Sequence, residues 1–277
     1  MLNNINIQKI YLKKEVQAFA FALTLFLITP PYFLWNKLSP LVFVTICSIL
    51  SFRNFKIDTI QKLILFLSLF TFYIFLAYKD NSSIFGILSL IGICVLVLNS
   101  DVFLNMVFKK YIYIYSITLI PSLLSYLLVN LFGVSLPYNI IDPLNEIKTY
   151  SYSQFPFFVQ ESHFFDIILP RFHSYYDEPG VVGTISGVLL LATKFNLKER
   201  INIPILIAGV LSFSFAFYLM LLVYIIFFVK NRFKIIGIIG LLIFLPLLSG
   251  NETINTYILS RFEIDNGQLA GDNRVMN

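Results

Sequence analysis

PRFHSYYDEPGVVGTISGVLLL, residues 170–191, changes character at Pro179. Before it stand Arg171, His173, Tyr175, Tyr176, Asp177 and Glu178; after it the chain turns apolar and small, through Val181, Val182, Gly183, Thr184, Ile185, Ser186 and Gly187. Proline suits the first turn of a helix, where its missing N–H has no partner to lose. Asp177 and Glu178 just ahead of it face the positive end of the helix dipole, worth roughly 0.3–1 kcal/mol each when exposed. The stretch predicts a polar loop running into a membrane helix at Pro179, with its charged side chains at the water boundary.

Working outward, the composition bounds the class. The chain is 58% hydrophobic and 13% charged, with a mean hydropathy of +0.81. Those values exclude an ordinary soluble domain and predict an integral membrane protein. The net charge of +5 is no nucleic-acid signature, because the basic residues sit in short clusters between apolar runs. Orientation on a membrane explains them better. Cys47 and Cys94 each lie inside an apolar run, so they read as buried filler and not as a disulfide.

Apolar runs occur at 16–34, 38–52, 63–78, 84–98, 111–133, 180–193, 201–229 and 234–249. The first resembles a signal peptide, but Pro30-Pro31-Tyr32 follows it in place of a small-x-small cleavage site, so it reads as a retained span. The run 201–229 is awkward: ~29 residues at ~1.5 Å rise is ~43 Å, too long for one compact span and too short for two. Charge decides its threading. With the N-terminus inside, and 201–229 going in and coming back, fourteen of the twenty basic residues fall inside. A single crossing would put Lys230, Arg232 and Lys234 outside, against the positive-inside rule. A hairpin or broken helix turning near Ser212–Ser214 is therefore expected.

The resulting expectation is an all-α polytopic integral membrane protein with about eight to nine membrane-embedded helices. It is a single membrane domain over 1–277, with a large extracytoplasmic loop at 134–179 and an extracytoplasmic tail at 250–277. The N-terminus is cytoplasmic.

The apolar runs carry almost no ionisable residues. A charge at the bilayer centre costs ~2.5–3.5 kcal/mol on insertion scales and is usually kept for a use. Its absence argues against an ion-coupled transporter and moves the chemistry to the outer water boundary. The loop 134–179 holds both histidines, His163 and His173, six carboxylates including Glu161 and Asp166, the basic Lys148 and Arg171, and eleven Tyr and Phe residues. It reads either as an aromatic interfacial belt or as a cleft for an amphipathic ligand, with aromatic faces for sugar rings and Arg171 for an anionic group. The histidine spacing matches no metal-ligand motif, so no metal is expected. There is no G-x-S-x-G to mark a serine hydrolase. Asp177-Glu178-Pro179-Gly180 by itself also reads as a simple helix start.

The longer phrase is more specific. Arg171-Phe172-His173-Ser174-Tyr175-Tyr176-Asp177-Glu178-Pro179-Gly180-Val181-Val182-Gly183-Thr184 resembles the R-F-x-x-x-F-x-E-P-G-x-x-G-T stretch of bacterial surface-polysaccharide repeat-unit polymerases, the Wzy-type family. Leu259-Ser260-Arg261-Phe262 through Gly271-Asp272-Asn273-Arg274 resembles a second stretch of that family, in a late outer loop, and Leu211-Ser212-Phe213-Ser214 a serine-bearing break in a long apolar run. The chain departs from the pattern in two ways. Some members place a glycine eleven positions after the arginine, which neither Arg171 nor Arg261 matches, and the chain stops three residues after Arg274, where the family continues. A C-terminally truncated chain is expected.

The resemblance implies a metal- and cofactor-independent glycosyltransferase of O-antigen, capsule or exopolysaccharide synthesis. Such an enzyme joins polyprenyl-diphosphate-linked oligosaccharide repeat units on the outer face of the bacterial cytoplasmic membrane. Its expected partners are the lipid-linked oligosaccharide, the lipid bilayer and other polysaccharide-assembly membrane proteins, with no nucleic acid. Arg171 would neutralise the diphosphate leaving group, as a fixed arginine can without a metal. His173 would serve as base, with Glu178 as runner-up, since histidine changes charge near neutral pH. Arg261, Arg274, Tyr175 and Tyr176 would bind substrate. An O-antigen-ligase-like transferase and a non-catalytic lipid-linked sugar transporter stay open beside this reading.

Overall fold

The computed structural model describes residues 2–29, 31–34, 46, 49, 60–79, 98–143, 151–162, 170–230, 234, 264–265 and 268–269; the side chains of 2–13, 69, 72–79, 264–265 and 268–269 are outside the description. The chain divides into two compact units, Met1–Tyr115 and Ser116–Asn277.

The first unit contains helix α1, Leu2–Ile28, helix α2, Ile60–Lys79, and the first half of helix α3, Asp101–Asn130. Helix α1 closes two residues ahead of Pro30, as expected where a proline ring crowds the preceding backbone out of the helical region. Helix α3 begins ten residues before the apolar run that predicted it. Asp101 in its first turn faces the dipole and pairs with Lys62 at 2.7 Å, and the same lysine donates to the Asn99 carbonyl at 2.9 Å. Lys110, which hydropathy alone would leave in a loop, is helical and paired with Glu15 at 2.7 Å. Phe21 packs edge-on against Phe103, centroids 5.6 Å apart.

The second unit holds the rest of α3, a small sheet and three short helices: α4, Pro179–Ala192, α5, Asn202–Leu211, and α6, Phe215–Phe228. The sheet is antiparallel in the order β1 (Asn139–Ile141), β2 (Tyr152–Gln154), β3 (Val159–Glu161). A two-stranded pair, β4 (Ile264–Asp265) and β5 (Gln268–Leu269), follows later in the chain. Pro179 is the first residue of α4, where the sequence placed a helix start. The helix ends in a Schellman motif: the Phe195 N–H reaches the Leu190 carbonyl at 2.7 Å and the Lys194 N–H the Leu191 carbonyl at 3.0 Å. Lys194 takes the left-handed position that glycine usually fills, at φ 53°.

The break expected inside 201–229 is present. Helix α5 stops at Leu211 and α6 starts at Phe215, with Phe213 between them at φ 46°. The chain also reverses there. The C-terminal end of α4 meets the start of α5, where Asn202 donates to the Thr193 hydroxyl at 3.4 Å, while Gly183 near the start of α4 lies against Ser212 and Ser214. One turn further on, Gly187 lies against Met220, so α6 runs back alongside α4. A Cβ on Gly183 would stand 2.1 Å from the Ser214 Cβ, so the two helix starts touch because this residue has no side chain.

The fold class read from the sequence needs correcting. Among the described residues only α3 is long and apolar enough to cross a membrane, and the segment 134–179, expected to be one loop of an all-α protein, carries a three-stranded sheet. This is not an all-α chain of eight to nine embedded helices. The physical reason lies in length and burial. Helices of 10–14 residues such as α4, α5 and α6 span only ~15–21 Å, short of a ~30 Å hydrocarbon core. An apolar stretch of that length serves equally well as a core helix, as the full burial of Val182, Leu190, Ile205 and Phe217 illustrates. Most of the runs 38–52, 84–98 and 234–249 lies outside the described residues.

Candidate functional site

The sheet sets the geometry. Its register places Tyr152 directly opposite Glu161 and Ser153 opposite Gln160. Cross-strand partners share a face, so Tyr152 and Glu161 project together and His173 docks on that face. The His173 Nε2 stands 3.4 Å from the Glu161 Oε1, with side-chain exposures of 2% and 7%, and the Tyr152 ring meets the imidazole edge-on at 5.7 Å. A carboxylate facing Nε2 favours the tautomer that carries its proton there. Nδ1 is buried and has no hydrogen-bond partner among the described residues. On the opposite face, Gln160 accepts a hydrogen bond from Asn130 at the end of α3, 3.1 Å.

The segment 170–178 is tied down along its length. Tyr126 of α3 donates its hydroxyl to the Pro170 carbonyl, and the Tyr126 ring packs edge-on against Phe172 and Phe158. The Val159 N–H of β3 donates to the Ser174 carbonyl at 2.9 Å, and the Tyr176 N–H to the His173 carbonyl at 3.0 Å, closing a turn with Ser174 at φ 52°. The Tyr152 hydroxyl donates to the Asp177 carbonyl at 2.6 Å.

Residues 171 and 172 complete the end of α5. The last carbonyls of a helix lack partners within it, and here each finds one. Gly209 receives the Ser212 hydroxyl at 2.7 Å, Val210 the Phe213 N–H and the Tyr218 hydroxyl, Leu211 the Phe172 N–H at 2.9 Å, and Ser212 the Arg171 Nε–H at 3.2 Å. A cation at this negative helix end is also favoured by the dipole. Arg171 is thus half-buried beside the α5–α6 turn, close to where α4 and α6 begin.

Of the residues predicted for the site, Arg171, His173, Tyr175, Tyr176 and Glu178 lie on this one segment. Glu178 occupies the N-cap position of α4 without a side-chain capping bond, and is partly exposed. His173, Tyr175 and Tyr176 are buried. Arg261 and Arg274 lie outside the described residues, as do His163 and Asp166. Glu161 and Tyr152 were missed as site residues. Their signal was the alternation of Tyr152-Ser153-Gln154 and Val159-Gln160-Glu161 around Pro156, a hairpin pattern overlooked inside a presumed loop. Among the described residues no three of His, Cys, Asp and Glu gather closely enough to hold a metal ion.

In comparisons with protein-family models, with curated proteins and with solved structures, nothing matches this chain.

Proposed function

We propose that the chain is a membrane-associated glycosyltransferase joining polyprenyl-diphosphate-linked oligosaccharides on the outer face of the bacterial cytoplasmic membrane. The observation that carries this reading is Arg171, held by its Nε on the Ser212 carbonyl beside the α5–α6 turn. An anchored guanidinium is preorganised, and it meets developing diphosphate charge without reorganising at the moment of reaction. In the transfer, an acceptor hydroxyl forms a bond to the anomeric carbon of the donor as the bond to the diphosphate oxygen breaks. The diphosphate leaves with the electron pair, and the hydroxyl proton passes to a base.

The base must come within ~3 Å of that hydroxyl. His173, closed in by Tyr152 and Glu161, does not reach it unless the turn at 173–176 opens. Its burial favours Glu178 as base and gives the His173–Glu161 pair the task of holding the segment that carries Arg171. An exposed apolar line along α3, Ile117, Ile120, Leu124 and Leu128, supports contact with lipid, since patches of this kind on a soluble surface are rare.

The test is reconstitution of the protein in liposomes with lipid-linked repeat units. Chain-length ladders that vanish in Arg171→Lys support the reading. Single repeat units moved across the bilayer without lengthening overturn it in favour of a transporter.

A further inference from the structure

We infer that the cleft at the open end of the β1–β2 ladder is a saccharide-binding subsite. It encloses about 220 Å³ and is lined by Pro137, Tyr138, Asn139, Gln154, Phe155 and Pro156. Asn139 and Gln154 are cross-strand partners, so their amides stand side by side. Each amide offers both a carbonyl acceptor and N–H donors, which is what vicinal sugar hydroxyls require. Tyr138 is half exposed and supplies a ring face. That ring packs against buried Phe155, with centroids 5.5 Å apart at 44°. Phe155 in turn stacks on Phe158 at 4.5 Å and 6°, and the Phe155 N–H bonds the Phe158 carbonyl, so the platform rests on a rigid turn.

The chemistry of the lining selects the ligand. No described lining residue is charged, which argues against a phosphate, a nucleotide or a charged headgroup. The cleft is smaller than the roughly 300 Å³ at which pockets for drug-sized ligands begin, so it takes one ring of a longer chain. A neutral pyranose has an apolar C–H face for the Tyr138 ring and proline walls, and an edge of hydroxyls for the two amides. An acyl chain would leave both amides unsatisfied, at a cost in binding. The cleft lies in the same unit as Arg171, and its aromatic column continues through Phe158 to Tyr126 and Phe172. Taking the glycosyl-transfer reading as its premise, we assign the cleft to a sugar of the oligosaccharide away from the reacting bond.

The full chain in lipid nanodiscs is applied to a printed array of neutral bacterial oligosaccharides, and those retained are titrated in solution. Wild type is expected to bind, Tyr138→Ala to weaken binding roughly tenfold, and Gln154→Leu and Asn139→Ala severalfold. Tyr138 and Asn139 are exposed, so these variants keep the fold. No retention of any oligosaccharide, binding indifferent to all three substitutions, or retention of extended peptides along β1 in place of sugars each overturns the assignment. Tyr138-dependent sugar binding by a protein that makes no polymer overturns the transferase reading and leaves the subsite standing. Normal polymer without measurable sugar binding does the reverse.

Discussion

Arg171 donates its Nε–H to the carbonyl oxygen of Ser212 at 3.2 Å, and so completes the C-terminal end of a helix that begins thirty-one residues later in the chain, at Asn202. One side chain therefore closes a helix end and is fixed in position beside a turn. Arg171→Lys keeps the charge but loses the planar fork and the Nε–H. We expect a stability loss of about 1 kcal/mol, the usual worth of one hydrogen bond, with polymer reduced far more than that loss explains. Thermal denaturation and polymer gels on the same preparations separate the two effects. Wild-type polymer length at normal protein level removes Arg171 from the site and leaves it a helix cap.

Glu161 and His173 form a buried pair. Truncating either side chain removes this contact from a buried site, at a cost of roughly 1–3 kcal/mol. Glu161→Ala and His173→Ala should each destabilise strongly, and the double variant by less than the two together, with a coupling of about 0.5–3 kcal/mol. Denaturant midpoints for the four proteins close the cycle. Strict additivity would show that the two side chains do not sense each other.

Gly183 admits Ser214 only because it has no Cβ. Gly183→Ala should destabilise by about 1–3 kcal/mol through overpacking. Adding Ser214→Gly removes the atom it strikes and should recover part of that loss. No recovery in the double variant would mean that the helices do not approach here as closely as the structure has them.

Lys194 sits at φ 53° in the Schellman turn that ends α4. A left-handed residue with a side chain costs roughly 1–2 kcal/mol, and glycine gives some of that back through unfolded-state entropy. Lys194→Gly is expected to raise stability by about 0.5–1 kcal/mol, read as a higher melting temperature. A lower one would show that the lysine side chain contributes more than its backbone strain costs.

Glu178 separates a base from a helix cap. It is the N-cap residue of α4, and Glu178→Gln keeps its shape and a hydrogen-bonding oxygen, so at the helix start the variant should lose a dipole contribution of roughly 0.3–1 kcal/mol. If it is the base, polymer is lost at unchanged protein level. Polymer at wild-type amount returns the role of base to another group.

The sequence by itself determined the features that depend on near neighbours. Pro179 as the first residue of α4 follows from its ring and missing N–H, and the interruption at Ser212–Ser214 follows from a run too long for one helix and too short for two. That Arg171, His173 and Glu178 share one segment follows from their closeness in sequence. What only the tertiary structure decided is pairing across distance. Whether an apolar stretch of 10–14 residues spans lipid or packs in a core depends on what covers it, and hydropathy is the same in both cases. The short strands 152–154 and 159–161 bury their alternation in a segment that is aromatic throughout, so period-two contrast is faint. The partnership of His173 with Glu161 is a consequence of sheet register, and that of Arg171 with Ser212 of an unfilled helix end. Both were invisible until the backbone groups needing partners had been placed in space.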